Sequence, residues 1–273
     1  MRRIGIVTDS SCDLPPELAT RHGVTVVPLT VRFGEEALAD GVDLDAAAFW
    51  HRLGTSERLP ETAAPGPGAF LAAFDALADN EGVVCICLSS RLSGTYQAAV
   101  LAARQAEMPV KVVDSGVVSM ALGLTVLTAA EAADAGGGLE SVAATAAESA
   151  RGANVFAALD TLEYLERGGR IGHLSALLGG VLDIKPLITL EDGVVAAAGR
   201  ARTRKRALAS IARHLAERAV SRVALIHSST ENLPLLRDAL GLSGMDELVV
   251  AELGPVVGTH TGPGVLGVAY IEA

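Results

Sequence analysis

Aromatic residues are scarce: Phe, Tyr and Trp make up 3% of the 273 residues, while hydrophobic residues make up 50%. The interior must therefore be built from Ala, Val and Leu, which suits a tightly packed α/β core or a smooth aliphatic cavity. Positive charge is also short. The net charge is −10, which excludes the basic footprint of a general nucleic-acid binder. The only lysines are Lys111, Lys185 and Lys205. None stands in Gly-Lys-Ser/Thr, so a nucleotide-phosphate loop of Walker type is missing. Cys12, Cys85 and Cys87 lack metal-ligand spacing, and Cys85 and Cys87 read as core fillers on one face of a strand. Long hydrophobic runs are absent too. The longest apolar-rich stretch, 117–130, is interrupted by Ser119, Thr125 and Thr128 and is too short to cross a bilayer. After Met1-Arg2-Arg3 the apolar run is brief and reads as a first strand, not a signal peptide. The expectation is a soluble, cytoplasmic protein without metal or cofactor. Asp40, Asp43 and Asp45 form the one close acidic cluster, which helix capping explains.

What is present is an alternation of strand and helix signals. Strands are expected over 4–8, 24–33, 83–88 and 110–113. Helices are expected over 15–22, 45–53, 68–77, 95–106, 117–133 and 139–151. The continuous apolar run 83–88 is typical of a buried parallel strand. After Gly136-Gly137-Gly138 the character changes. Strands near 184–190 and 194–197 flank Glu191-Asp192-Gly193, a hairpin turn. Further strands are expected at 154–160, 223–227, 248–252 and 265–272, with helices at 161–166, 203–219 and 233–240. The fold class is α/β in two lobes: a doubly wound parallel-sheet lobe over 1–150 and a mixed-sheet lobe over 151–273. A ligand cavity is expected between them.

Three polar segments punctuate this aliphatic chain and read as loops: Thr62 in 60–65, Ser93-Gly94 in 89–97, and His260 in the glycine-rich 258–264. Ser93 and the amides of Gly94 and Thr95 fall at a helix N-terminus, where unpaired N–H groups favour an anion; Ser93 equally suits a simple helix cap. Ser93 with His260 also invites a nucleophile–base reading. Against it, Arg91 and Thr95 replace the two glycines of the Gly-x-Ser-x-Gly elbow. Gly262-Pro263-Gly264-Val265-Leu266-Gly267 matches the dinucleotide fingerprint in letters only, because a strand, 265–272, is expected where the fingerprint needs a helix. In Arg167-Gly168-Gly169-Arg170 the glycines read as a helix C-cap, and Arg170 is free to meet a phosphate or carboxylate. The run Arg200, Arg202, Arg204, Lys205, Arg206 reads as the solvated start of a helix, or as a patch for an acidic partner or an anionic membrane surface.

In this order, several stretches together resemble the DegV family over essentially the whole chain. They are Val7-Thr8-Asp9-Ser10-Ser11-Cys12-Asp13-Leu14, Leu88-Ser89-Ser90-Arg91-Leu92-Ser93-Gly94-Thr95-Tyr96-Gln97 and Val113-Asp114-Ser115. Leu162-Glu163-Tyr164-Leu165-Glu166-Arg167-Gly168-Gly169-Arg170-Ile171, Leu182-Asp183-Ile184-Lys185-Pro186 and His260-Thr261-Gly262-Pro263-Gly264 follow. The resemblance implies a long-chain fatty acid buried between two α/β lobes, with its carboxylate on Thr62 and Ser93 and with His260 as the third group. It further implies an acyl-binding subunit of a bacterial fatty acid kinase. A separate ATP-binding subunit would phosphorylate the carboxylate for phospholipid synthesis. Thr62-Ala63-Ala64-Pro65 departs from the family's frequent Thr-Ser-Gln-Pro and removes two polar side chains beside the head group. A self-contained serine hydrolase, or a lipid carrier with no kinase partner, are the competing readings.

Overall fold

The computed structural model describes residues 3–177, 184–242 and 248–273. Leu182 and Asp183 of the motif quoted above lie outside them. The chain begins with strand β1 (Ile4–Asp9), a 3-10 turn (Ser10–Cys12), helix α1 (Pro16–Arg21) and strand β2 (Val24–Val27). There follow β3 (Thr30–Phe33), β4 (Glu36–Ala39), α2 (Ala46–Thr55), β5 (Glu61–Ala63) and α3 (Pro67–Asp75). The lobe closes with β6 (Gly82–Cys87), α4 (Thr95–Ala103), β7 (Val110–Asp114), α5 (Met120–Asp134) and α6 (Leu139–Gly152). All pairings in the sheet β2-β1-β6-β7 are parallel. Its central strands β1 and β6 are buried at every residue; β6 is apolar throughout, whereas β1 ends in the buried Thr8 and Asp9.

The expected strand 24–33 is in fact two. Pro28 has no N–H to give a ladder, and the chain leaves the parallel sheet there. It re-enters structure as β3, the middle strand of a small antiparallel sheet β4-β3-β5. This sheet was not legible in the sequence, and it moves Thr62 from a loop to the centre of β5, opposite Val31. Of the three clustered aspartates, Asp45 caps α2 by accepting the Ala48 amide, and Asp43 accepts the Ala39 amide. Asp40 is not a cap; it is 4% exposed.

The second lobe consists of β8 (Ala153–Ala158), α7 (Glu163–Arg167), β9 (Lys185–Glu191), β10 (Val194–Ala201), α8 (Arg204–Ala216) and β11 (Val220–His227). α9 (Leu233–Ala239), β12 (Val249–Glu252), α10 (Pro255–Thr261) and β13 (Leu266–Glu272) complete it. The sheet order is β10-β9-β8-β13-β11-β12, antiparallel except for β11–β12. Asp192 and Gly193 both have positive φ (49° and 76°), the requirement of a two-residue type I′ hairpin turn. The fold is thus α/β with a parallel N-terminal sheet and a mixed C-terminal sheet.

α5 lies between the two sheets and is buried along most of its length. The largest apolar cluster runs from Ile4 and Ile6 of β1 through Leu122 and Val126 of α5 to Val155 and Ala157 of β8. Along β8 the period of two sorts the residues: Val155 and Ala157 face this cluster, whereas Phe156 and Ala158 face a second one under α8.

Candidate head-group site in the cavity between the lobes

The three polar segments converge, but from ordered elements more than from loops. Pro255–Thr261 is helical although it contains Gly258 and four β-branched residues, because its packing overrides propensity. Gly258 lets α10 approach α2: a Cβ there would stand 2.5 Å from the Phe49 ring and 2.8 Å from Trp50. His260 sits in the last turn of α10. Its Nε2 lies 2.8 Å from Thr62 Oγ1. Its Nδ1 is buried without a partner, against Gly168, where an added Cβ would come within 2.3 Å of that nitrogen. Burial, reinforced by the positive charge of Arg170, lowers the His260 pKa to about 4, so the ring is neutral near pH 7. With no acceptor for Nδ1 among the described residues, the proton belongs on Nε2, which donates to Thr62 Oγ1. The Thr62 hydroxyl is then free to donate into the cavity.

Ser93 lies in the turn between β6 and α4. Its Oγ is 2.9 Å from Thr95 Oγ1 and accepts from the Thr95 amide at 3.4 Å. Ser93 therefore has no bond to His260, and no carboxylate orients His260 Nδ1 among the described residues. The nucleophile–base pairing that Ser93 and His260 suggest in sequence is not assembled here. Gly94 stands exposed at the cap of α4 and is not among the cavity-lining residues.

Thr62, Ala63, Ala64, Ser93, His260 and Arg170 line one end of a cavity that bounds about 900 Å³, part of it open to solvent. Apart from Ser11, Ser119 and Thr261 its remaining wall is aliphatic and comes from both lobes, including Leu29 and Leu88 on one side and Val155, Ala157, Ile188 and Val195 on the other. Arg170 is the charged residue of this lining. Its Nε donates to the Leu92 carbonyl at 3.2 Å and its Nη1 to Gly168 at 2.7 Å, so it borders the polar part of the lining, a position its motif did not disclose. The signal was present in part: a forked donor two residues after the helix-capping glycine.

The arginine run divides. Arg204 is held by Asp160 and the Gly264 carbonyl and secures the loop that follows His260. Lys185 also pairs with Asp160, at 2.9 Å. Arg200 and Arg202 are exposed, and with Arg206 and Arg213 they border a separate surface groove.

The model of the DegV family matches residues 3–273. The chain belongs to the DegV family. It is 41% identical to a DegV domain-containing protein of Streptomyces coelicolor over 275 residues, 98% of each chain. The solved structure of a DegV family protein from Thermus thermophilus, described as binding fatty acid, superposes with a TM-score of 0.91 at 36% identity and covers 99% of this chain and 100% of its own. DegV of Bacillus subtilis, described as a fatty acid binding protein, gives a TM-score of 0.89 at 29% identity with full coverage of both chains. In this DegV-family chain the cavity thus lies within a fold shared with fatty-acid-binding relatives.

Proposed function

We propose that the protein binds one long-chain fatty acid in the inter-lobe cavity, its carboxylate held by Thr62 and Ser93 beside His260. The observation that carries this reading is an aliphatic cavity ending at a hydroxyl oriented by a neutral histidine. Burying about 14 methylenes is worth ~11 kcal/mol before the costs of association. A carboxylate stripped of water and left unpaired would cost several kcal/mol of that. Two hydroxyls and the nearby Arg170 guanidinium supply the compensation.

The chain's role is to present that carboxylate, in the cytoplasm, to a separate ATP-dependent kinase subunit that forms the acyl phosphate used in phospholipid synthesis. The family resemblance supports this, as does a head-group end open to solvent. Arg170 at that opening, and the exposed Arg200 and Arg202, are the contacts for such a partner or for transient docking on an anionic membrane. Arg204, engaged with Asp160, serves them indirectly. Native mass spectrometry followed by extraction tests the reading. One equivalent of a C14–C18 fatty acid is expected; an empty protein that takes up no added fatty acid would refute it. Acyl phosphate should form from ATP only when a kinase subunit is added, and formation by the chain alone would remove the two-component role.

A further inference from the structure

Three carboxylates are buried behind the cavity wall, Asp9, Asp13 and Asp40, the first two bonded by the lining residues Ser11 and Ser119. Asp13 follows the 3-10 turn in left-handed backbone, φ 49°. One of its oxygens accepts the Ser119 hydroxyl at 2.6 Å. The other accepts the Gly254 amide at 2.9 Å, from 241 residues further along the chain. Asp40 is hydrogen-bonded by the Ser10 hydroxyl and the Val256 amide, and its Oδ2 is buried without a partner. Gly254 and Val256 belong to the cap and first turn of α10, whose last turn carries His260. A Cβ on Gly254 would stand 3.0 Å from Asp13 and 3.6 Å from Asp40, so both acids converge on that one residue. The backbone around them is built to hold this contact: Ser119, also at positive φ (57°), donates its amide to the Ser11 carbonyl at 2.8 Å.

We propose that Asp13 and Asp40 are positioning residues for His260: from the N-terminal lobe they fix the first turn of α10, and through it the imidazole against Thr62. The inference rests on reading that site as a carboxylate receptor. It carries a pH signature. Burial pushes Asp13 up to about 8 and Asp40 up to about 7, and Asp9 up to about 6. The other titratable groups near them are the buried Cys12 thiol of the 3-10 turn, the buried Cys87 thiol of β6 beside Asp9, Glu17 of α1, Asp45 at the cap of α2 and Glu252 of β12. No lysine, arginine or histidine lines this cleft among the described residues. Because the folded values lie above the 3.8 of an ordinary aspartate, the native state holds protons that the unfolded chain has lost, so the contribution is full below about 4, falls as pH rises, and is gone once pH has passed through the folded values of about 7 to 8. Ionisation there would set like charges side by side with no cation to offset them.

The test follows the His260 ring resonances of the ligand-free full chain and its palmitate affinity from pH 6 to 9. In the wild type, affinity should fall ~5-fold over this range, and the His260 resonances should move with it. Asp13→Asn keeps an acceptor for the Gly254 amide but cannot ionise, so it should flatten both profiles. Asp13→Ala should weaken palmitate binding ~5-fold at every pH and shift the His260 resonances. Should that variant fail to fold, Asp40→Ala carries the same expectation. Unmoved His260 resonances in the alanine variant, or a wild-type pH profile in Asp13→Asn, would overturn the proposal. A wild type that takes up no palmitate removes the receptor reading instead, and the resonances still decide whether the acids position His260.

Discussion

His260 is neutral because it is buried beside Arg170, and an incoming carboxylate changes that balance. A negative charge within hydrogen-bond reach of the Thr62–His260 pair favours the imidazolium. Fatty-acid binding should therefore raise the His260 pKa from about 4, read as a shift in the midpoint of its ring resonances by NMR; an unchanged midpoint would place the carboxylate elsewhere. Without ligand the sign is opposite to that of the buried acids. A lowered histidine value means the unfolded chain binds the extra proton, so His260 lowers stability as pH falls from about 6.5 toward 4. At the same scale, hydrogen bonds to a charged group are worth about 1.5–3 kcal/mol each. Thr62→Ala with Ser93→Ala should thus weaken fatty-acid binding by roughly 100-fold or more while leaving the melting temperature within a few degrees. Calorimetric titration checks the first and a thermal melt the second. Unchanged affinity would sink the assignment of both hydroxyls.

Elements explain which parts of the site could be read in the sequence. Ser93 was legible because an apolar strand, a polar turn and a helix start follow each other within a dozen residues. Asp45, from the aspartate cluster read as capping, does cap α2, and Thr203 caps α8, each accepting an amide three residues on. Thr62 and His260 were found as residues but misplaced as loops. β5 is only three residues long and owes its existence to pairing with β3, a contact local sequence does not encode. α10 is short, contains Gly258, and forms because α2 and the small sheet pack on it. Its glycine signals close approach, not freedom. Gly258→Ala should accordingly destabilise the fold by about 1–3 kcal/mol through the clash with Phe49 and Trp50, measured by denaturant unfolding. Loss of ligand affinity should accompany it, since His260 lies two residues further along the same helix. A variant of wild-type stability would show that α10 has room to shift.

At the scale of the whole molecule, the C-terminal sheet gives one face of the cavity and loops, strand ends and β5 of the first lobe give the other, so chain-length selection is distributed over many aliphatic side chains. The lack of a diagnostic residue in the sequence has that origin. Enlarging one cavity-facing residue is still decisive. Ala157, on the inward face of β8, is a cavity wall. Ala157→Leu should move the extracted lipids toward shorter chains, a change that lipid mass spectrometry reads directly; an unchanged profile would show that the acyl tail does not reach β8. Because α5 packs on both sheets, the two lobes should also melt in one calorimetric transition, and two resolved transitions would contradict the shared core.

The position of β13 has a consequence for synthesis. It lies between β8 and β11, so it joins two halves of the six-stranded sheet that otherwise have no ladder between them. Until residues 266–272 leave the ribosome, β8–β10 and β11–β12 present open edges. The C-terminal lobe, and with it the oily chamber, must assemble late, while the parallel sheet of the first lobe has all its strands already made. A nascent chain stalled before residue 266 is expected to remain protease-sensitive beyond α6 and to engage chaperones there.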